Sequence, residues 1–408
     1  MAINRNTDQF DIIVIGGGPA GMMAAGRAAE RGAKVLLIEK TYRLGSKLLL
    51  TGGGRCNITN NAEIGEFINA FGKAGKFLYK ALTVFSSQDL INFFTSRGVP
   101  MHIDPDGKVF PSTNSADSVL AVLRAYLKQH KVSIIYNHAF STTDDRTLDT
   151  QKLIIATGGM SYPATGSTGD GYDLAKLYGH TIVPLSPGLT ALESDNPFIK
   201  DLQGLTIKDI AISLIIDGKK KAEARGSILF THFGVSGPIV LNLSGKVIDV
   251  LSNKSKVELG LNLRPNFCPQ EFANILQKEF VAFGPRTVAQ YFKKVLPASL
   301  SAVFEKRYSP ASNKKCNMIN RAERKIIAAC FTDFRIFIIG FRPIEEAMIT
   351  RGGVSLKEIN PQTMESRRVT GLYFCGEMID IAGMTGGYNL QAAFSTGYLA
   401  GEAAAGVL

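Results

Sequence analysis

The chain of 408 residues exceeds what one hydrophobic core usually supports, roughly 250–300 residues, and its 45% hydrophobic and 20% charged composition excludes disordered and fibrous architectures. The formal charge is +11, and residues 201–330 alone hold 20 Lys plus Arg against 10 Asp plus Glu, a net +10, which leaves the other 278 residues nearly neutral. A charge confined to one contiguous third marks a separate domain with its own surface. Glycine stands high at 41 residues, about one in ten where ~7% is usual.

The segment Met1–Phe10 is polar, and no run of 18 uninterrupted apolar residues occurs, so the expectation is a soluble, cytoplasmic protein without a membrane partner. The five cysteines, Cys56, Cys268, Cys316, Cys330 and Cys375, are scattered and form no C-x-x-C pair. That pattern supports neither a disulfide framework nor a metal site, and it predicts reduced, mostly buried thiols.

In chain order, residues 11–15 (DIIVI) predict a buried parallel strand, followed at once by Gly16, Gly18 and Gly21 in G-x-G-x-x-G spacing. The first glycine permits a tight turn, the second lets a pyrophosphate approach the backbone, and the third lets helix and strand pack closely. A helix over Pro19–Arg31 would point its N-terminal N–H groups at the phosphates. The next strand, Lys34–Ile38, ends at Glu39, an acceptor for ribose hydroxyls that disfavours a 2′-phosphate. Strand, glycine turn, helix, strand and acid in this order predict an FAD or NAD site.

A strand over Val132–Tyr136 precedes Ala139, and residues 153–159 (LIIATGG) form a strand running into a glycine turn. Residues 205–216 and 226–262 read as β-rich, whereas 269–334 reads as helical, with segments Gln270–Phe283, Thr287–Phe292 and Asn320–Cys330. Near the chain's end, residues 372–377 (LYFCGE) place Glu377 after a strand, and 386–393 (GGYNLQAA) open an Ala-rich helix. Strands and then helices set between two groups of strand–turn–helix units predict an insertion into an α/β domain. No second strand–GxGxxG–helix unit occurs, so a dedicated NAD(P)H domain of the glutathione-reductase type is not expected.

The closing glycine–acid segment resembles that of two-dinucleotide-binding-domain flavoproteins, with Glu377 where the usual acid is Asp. The loop 45–60 (GSKLLLTGGGRCNITN), with 109–113 (VFPST), 157–159 (TGG), 351–354 (RGGV) and 383–391 (GMTGGYNLQ), resembles the BaiN/YhiN type of NAD(P)/FAD-dependent oxidoreductase over essentially the whole chain. The resemblance implies an α/β fold in which a Rossmann-like FAD domain, residues 1–190 plus 345–408, is interrupted by a barrel-like β-rich insert (191–264) and a mainly helical one (265–344).

It also implies site residues. Gly16, Gly18, Pro19, Ala20 and Gly21 would line the FAD pyrophosphate, and Glu39 and Lys40 the adenosine ribose. Lys47, Gly53, Gly54 and Arg55 would wrap flavin and phosphates, although Arg55 is equally placed to brace its own loop. Ala139 would meet the adenine through its backbone, or else is an ordinary strand-end residue, and Thr157, Gly158, Gly159, Gly376, Glu377, Gly387, Asn389 and Leu390 would complete the cofactor set. The stretch 166–171 (GSTGDG) resembles the FAD-supporting turn of fumarate-reductase and succinate-dehydrogenase flavoproteins, with Asp170 alternatively an N-cap. Cys56 reads as structural, having no partner cysteine and no adjacent base. Tyr162, Tyr388 and His102 are candidate proton donors, and Arg351 is the candidate cation beside the flavin or a substrate carbonyl.

The implied activity passes hydride from NAD(P)H to flavin and then to an electron-poor double bond of a small organic acceptor. Two alternatives stand beside it. One is a flavoenzyme acting on RNA, to which the basic insert with its run Lys219, Lys220, Lys221 would be suited, set against a merely solvated basic face. The other is a non-enzymatic flavin-bound regulator.

Overall fold

The computed structural model describes residues 9–140 and 152–406. The chain divides into two compact units, Met1–Gly188 with Ile344–Leu408, and Leu189–Pro343.

The first unit is built on a five-stranded, wholly parallel sheet in the order Leu372–Phe374, Lys152–Ile155, Ile12–Ile15, Val35–Ile38, Ser133–Ile135. The runs IIVI and VLLI are buried at every position, as expected of strands covered on both faces. The Pro19–Glu30 helix follows the first strand, one residue shorter than the sequence suggests, with Arg31 as its C-cap. Its alanines form a smooth face on which the Tyr388–Ala404 helix lies close. A methyl group added to Gly397 or Gly401 would fall 2.3 and 2.4 Å from the carbonyl oxygens of Ala20 and Ala24. Arg27 and Arg31 both bind the largely buried Glu402 carboxylate, which locks the two helices in register. A separate antiparallel pair, Ile182–Gly188 with Ile349–Val354, joins the segments on either side of the insert.

The second unit carries a seven-stranded sheet ordered Phe334–Ile338, Val257–Asn262, Thr206–Ile216, Lys219–Phe230, Gly234–Ser236, Leu192–Glu193, Gly340–Phe341. The continuous segment 334–341 pairs with Val257–Asn262 through its first half and with Leu192–Glu193 through its second, so the sheet closes on itself. The stretch 226–262, read above as β-rich, contains a 14-residue helix, Pro238–Leu251. Its β-branched residues favour strand locally, yet Ile239, Val240, Leu243, Val247 and Ile248 repeat at helical spacing and are all buried. Helices Pro269–Phe283, Val288–Val295, Ala298–Arg307 and Arg321–Thr332 share one hydrophobic core with the sheet, in which the rings of Phe272, Phe292, Phe304 and Phe331 meet at centroid distances of 5.3 to 5.9 Å. Among the described residues no helix is long and apolar enough to cross a membrane.

Candidate cofactor site

The glycine turn after the first strand has three different steric situations at its three glycines. Gly16 has φ of +99°, and a Cβ there would stand 2.5 Å from the Ala156 carbonyl oxygen. A Cβ on Gly21 would meet the Gly16 carbonyl oxygen at 1.8 Å. Gly18, the N-cap of the helix, has ordinary extended backbone and no atom within 4 Å of where a Cβ would lie. The open space therefore sits where helix N–H groups converge, with Pro19 and Ala20 forming the first turn.

Glu39 is buried at the end of the second strand. Its carboxylate accepts the Gly17 N–H at 2.8 Å and both the N–H and hydroxyl of Thr41 at 2.8 Å. The His138 N–H donates to the Glu39 carbonyl at 3.2 Å, which brings the exposed Ala139 to the same edge. Lys40 reaches across to Thr168 and to Asp170 at 2.7 Å. Asp170 is thus not an N-cap: the cap of the Asp170–Leu177 helix is Gly169 at φ +91°, and the Asp170 side chain is committed to Lys40 and Thr168. Burial opposes ionisation of Asp170, but these two partners outweigh it and hold its carboxyl below the usual range. Gly171 is where that helix crosses Thr157, since a Cβ there would lie 1.9 Å from the threonine hydroxyl.

Glu377 is a hub joining segments far apart in the chain. It receives Lys47 Nζ at 2.8 and 3.1 Å, the Ser161 hydroxyl at 3.1 Å and the Thr350 N–H at 2.8 Å, while Lys47 Nζ also donates to Ser161 Oγ at 2.6 Å. The Thr157–Gly158–Gly159 turn packs directly against this hub: a Cβ on Gly159 would meet Thr350 Oγ1 at 2.2 Å and Glu377 Oε1 at 2.7 Å. Gly376, one residue before Glu377, donates its N–H to Thr396 Oγ1 at 3.0 Å and lies against Ala20, so the C-terminal segment abuts the first helix. Nothing in local sequence marks Ser161, Thr350 or Thr396.

The remaining predicted residues divide. Gly53 and Gly54 have positive φ, 66° and 87°, and no atom lies within 4 Å of where a Cβ on either would stand, so their loop presents open backbone. Arg55 is exposed and stacks over the Phe110 ring at 4.5 Å, as does His102 at 5.8 Å, and neither joins the Glu377 cluster. Cys56 is fully buried, and burial pushes its thiol up to about 12. Gly387 caps the Tyr388–Ala404 helix, and Leu390 packs on the core. The Asn389 carboxamide braces its own loop, accepting the Gly383 N–H at 2.8 Å and donating to the Gly383 and Met384 carbonyls at 3.1 and 3.0 Å. Tyr388 packs edge-on against Phe67, and burial, with Glu66 nearby, raises its hydroxyl pKa.

Arg351 adjoins Thr350 on the same strand, opposite Ser186, and faces Asp380. Burial raises the Asp380 carboxyl, opposed by the Gly352 N–H and by Arg351. Tyr162 follows Ser161, is half-buried, and has φ of +54°, a left-handed backbone that a bulky residue adopts only at a cost. Tyr172, inside the GDGY turn and not marked by any sequence signal, is buried, and its hydroxyl has no partner among the described residues although Glu377 and Asp380 lie close enough to act on it. The Asn57 Oδ1 of the glycine loop is likewise buried and unpartnered.

These features fit a dinucleotide. Two carboxylates, Glu39 and Glu377, stand at separate places in the unit, open backbone at Gly18 lies at a helix N-terminus, and two buried polar atoms, Tyr172 OH and Asn57 Oδ1, have no hydrogen-bond partner among the described residues. Gly18 and the first turn of the helix would hold the pyrophosphate, Glu39 the ribose, and Glu377 with Lys47 the ribityl end. Bound FAD supplies two-electron hydride chemistry. The chain's own groups would orient it, and Arg351 lies on the strand next to Thr350.

Fold and site together define an FAD-dependent oxidoreductase. More narrowly, the chain belongs to the HI0933-like family, whose Rossmann-domain model matches residues 10–403. It is 32% identical to the 3-dehydro-bile acid delta(4,6)-reductase of Clostridium scindens, covering 96% of this chain and 98% of that protein. It is 30% identical to the ribosomal RNA dihydrouridine synthase of Escherichia coli, covering 96% of this chain and 97% of that one. Among solved structures, 3-ketosteroid delta1-dehydrogenase from Sterolibacterium denitrificans shares the fold with a TM-score of 0.52 at 13% identity, over 98% of this chain and all of that one.

Proposed function

We propose that this oxidoreductase saturates a carbon–carbon double bond conjugated to a carbonyl, with NAD(P)H as the source of hydride. In net terms NAD(P)H gives up a hydride, the double bond gains that hydride and a proton, and NAD(P)+ is released. The observation that supports the reading is that the strand of Arg351 borders the Glu377 cluster: its neighbour Thr350 donates an N–H to Glu377, and Arg351 itself acts on Asp380, three residues after Glu377. A guanidinium stabilises the negative charge that develops on a carbonyl oxygen as hydride adds to the conjugated carbon. Tyr162, next to Ser161 of the same cluster, is the proton donor in this reading. The names of the two full-length relatives fit one chemistry, since a 3-oxo-4,6-diene and the uracil ring of uridine both present a double bond conjugated to a carbonyl.

A small organic enone is one substrate class. RNA is the second, and the charge distribution favours it: Leu189–Pro343 carries 23 Lys plus Arg against 13 Asp plus Glu, whereas the remainder carries 23 against 22. A net +10 on one unit draws phosphate, not a neutral steroid-like molecule.

The test has two stages. Anaerobic NADH and NADPH are each mixed with the FAD-loaded protein, and bleaching of the flavin band by one of them is expected; failure of both refutes the hydride source. The bleached protein is then offered a 3-oxo-4-ene steroid, a uridine-containing RNA and a saturated ketone. Reoxidation by an enone or by RNA, but not by the ketone, is expected, and reoxidation by none of them refutes the substrate class.

A further inference from the structure

Helices Pro269–Phe283 and Arg321–Thr332 of the second unit enclose a polar groove of about 270 Å³. One wall carries the carboxamides of Gln270, Asn274 and Gln277, spaced to share a helix face, and the other carries Arg321, Arg324 and Lys325. No carboxylate lines it. The acids close by in sequence are engaged elsewhere: Glu271 accepts the Cys268 N–H at 2.8 Å, Glu279 accepts the Tyr291 hydroxyl, and Glu323 binds Lys314 and the Asn320 N–H. None of the three cations has a side-chain partner among the described residues, and Arg324 Nε is shut off from solvent without a hydrogen bond. A buried guanidinium nitrogen left unsatisfied is costly, and an anion seated in the groove removes that cost.

We infer that this groove is a binding site for the phosphodiester backbone of RNA. The inference rests on the reading of RNA as substrate given above, and it deepens that reading by naming the surface. Guanidinium forks suit phosphate oxygens bidentately, and carboxamides both donate to phosphate and accept from a 2′-hydroxyl. The lining has no aromatic ring on which a base would stack, so the groove positions the strand and does not read its sequence.

The experiment uses the full FAD-loaded chain and a single-stranded RNA carrying a far-red dye, with anisotropy followed against salt. Three proteins are compared: wild type, the triple variant R321Q/R324Q/K325Q, and an equal-charge control, K246Q/K254Q/K256Q, changed at exposed lysines of the same unit that do not line the groove. Each phosphate-bound cation contributes about 0.7 to the slope of log affinity against log salt for a single strand, so the groove variant should lose about 2 from that slope. Between 50 and 200 mM salt its affinity should then fall about 18-fold less than that of wild type. The control should lose less than half as much slope, and both variants should keep the wild-type Tm and flavin content. RNA binding with an unchanged slope in the groove variant, or an equal loss in the control, overturns the groove and leaves RNA as substrate standing. No RNA binding by wild type overturns both. Tripolyphosphate binding that disappears with R321Q/R324Q/K325Q, in a protein that ignores RNA, identifies the ligand as a free phosphorylated molecule and overturns the assignment to RNA.

Discussion

Gly18→Ala separates cofactor binding from folding. The residue has φ of −76°, which alanine adopts without strain, and no atom stands within 4 Å of the added carbon. Replacing glycine at a compatible position stabilises by about 0.4–1 kcal/mol through the unfolded chain, which for a domain of this size raises the Tm of the flavin-free protein by roughly 1–4 °C. The same methyl fills the space at the helix N-terminus that a pyrophosphate needs. Losing one charge-assisted hydrogen bond there costs about 1.5–3 kcal/mol, a rise of about 10- to 150-fold in the Kd for FAD. Gly21→Ala is the opposing control. Its Cβ would lie 1.8 Å from the Gly16 carbonyl oxygen, backbone has to move, and the overpacking costs about 1–3 kcal/mol, lowering Tm by roughly 2–12 °C. Circular dichroism melts of flavin-free protein and titrations of flavin fluorescence give the two quantities independently, and the absence of tryptophan keeps the flavin signal clean. A Gly18→Ala protein that binds FAD within twofold of wild type, or that melts as low as Gly21→Ala, refutes the placement of the pyrophosphate.

Tyr162→Phe should leave bleaching by NAD(P)H within twofold and slow reduction of the acceptor by about 100-fold or more, as loss of a general acid does; equal slowing of both steps removes Tyr162 from that role. Glu402→Gln strips the shared carboxylate from Arg27 and Arg31 and should cost about 2–3 kcal/mol, seen as a fall in Tm of roughly 4–12 °C, whereas a change under 1 °C means the clamp contributes nothing. Stability should decline on acidification in two steps. Burial holds His180 below its ordinary 6.5 despite Glu358, so the unfolded chain takes up that proton first and stability is lost as pH falls below about 6.5. Burial of Glu358 is outweighed by Arg368 and by the N–H and hydroxyl of Thr181, which hold its carboxyl at about 2, so its contribution, full above 4.5, is lost between about 4.5 and 2. His180→Gln should abolish the upper step in melts recorded against pH and leave the lower one. With a thiol reagent at neutral pH one cysteine, the exposed Cys268, should react in the native protein, and rapid labelling of Cys56 contradicts its burial.

What is legible in the sequence is whatever chemistry is local. Gly16, Gly18, Gly21 and Glu39 lie within one strand–helix–strand unit, and each constraint on them is felt by near neighbours. Glu377 is visible as an acid after a strand, but the groups that hold it come from Lys47, Ser161 and Thr350, and only the closed fold unites them. The Arg27–Arg31–Glu402 clamp spans some 370 residues for the same reason, although the Gly397–x–x–x–Gly401 spacing does announce a close helix crossing. Asp170 reads as well for a cap as for a cofactor-supporting turn because an aspartate before a helix signals a cap and an ion pair alike. Pro238–Leu251 reads as strand because β-branched side chains argue for strand residue by residue, while helical burial at positions 239, 240, 243, 247 and 248 is a property of the whole segment.

Charge misleads as a single figure and becomes useful once divided by position. A dinucleotide carries negative charge, so a net of +11 invites the conclusion that the surplus serves the cofactor. The unit with the candidate cofactor site has 23 cations against 22 acids, and the backbone N–H groups at its helix N-terminus, where a pyrophosphate would sit, need no surplus. Backbone dipoles fixed by the fold cannot be released by salt in the way paired counter-ions can, whereas contacts made by lysine and arginine on a surface can. FAD retention should therefore be nearly insensitive to ionic strength over roughly the same 50–200 mM range in which RNA affinity falls steeply. A cofactor that washes off with salt as readily as RNA would mean that the two ligands are held by the same kind of charge, and the division of labour between the units would be wrong.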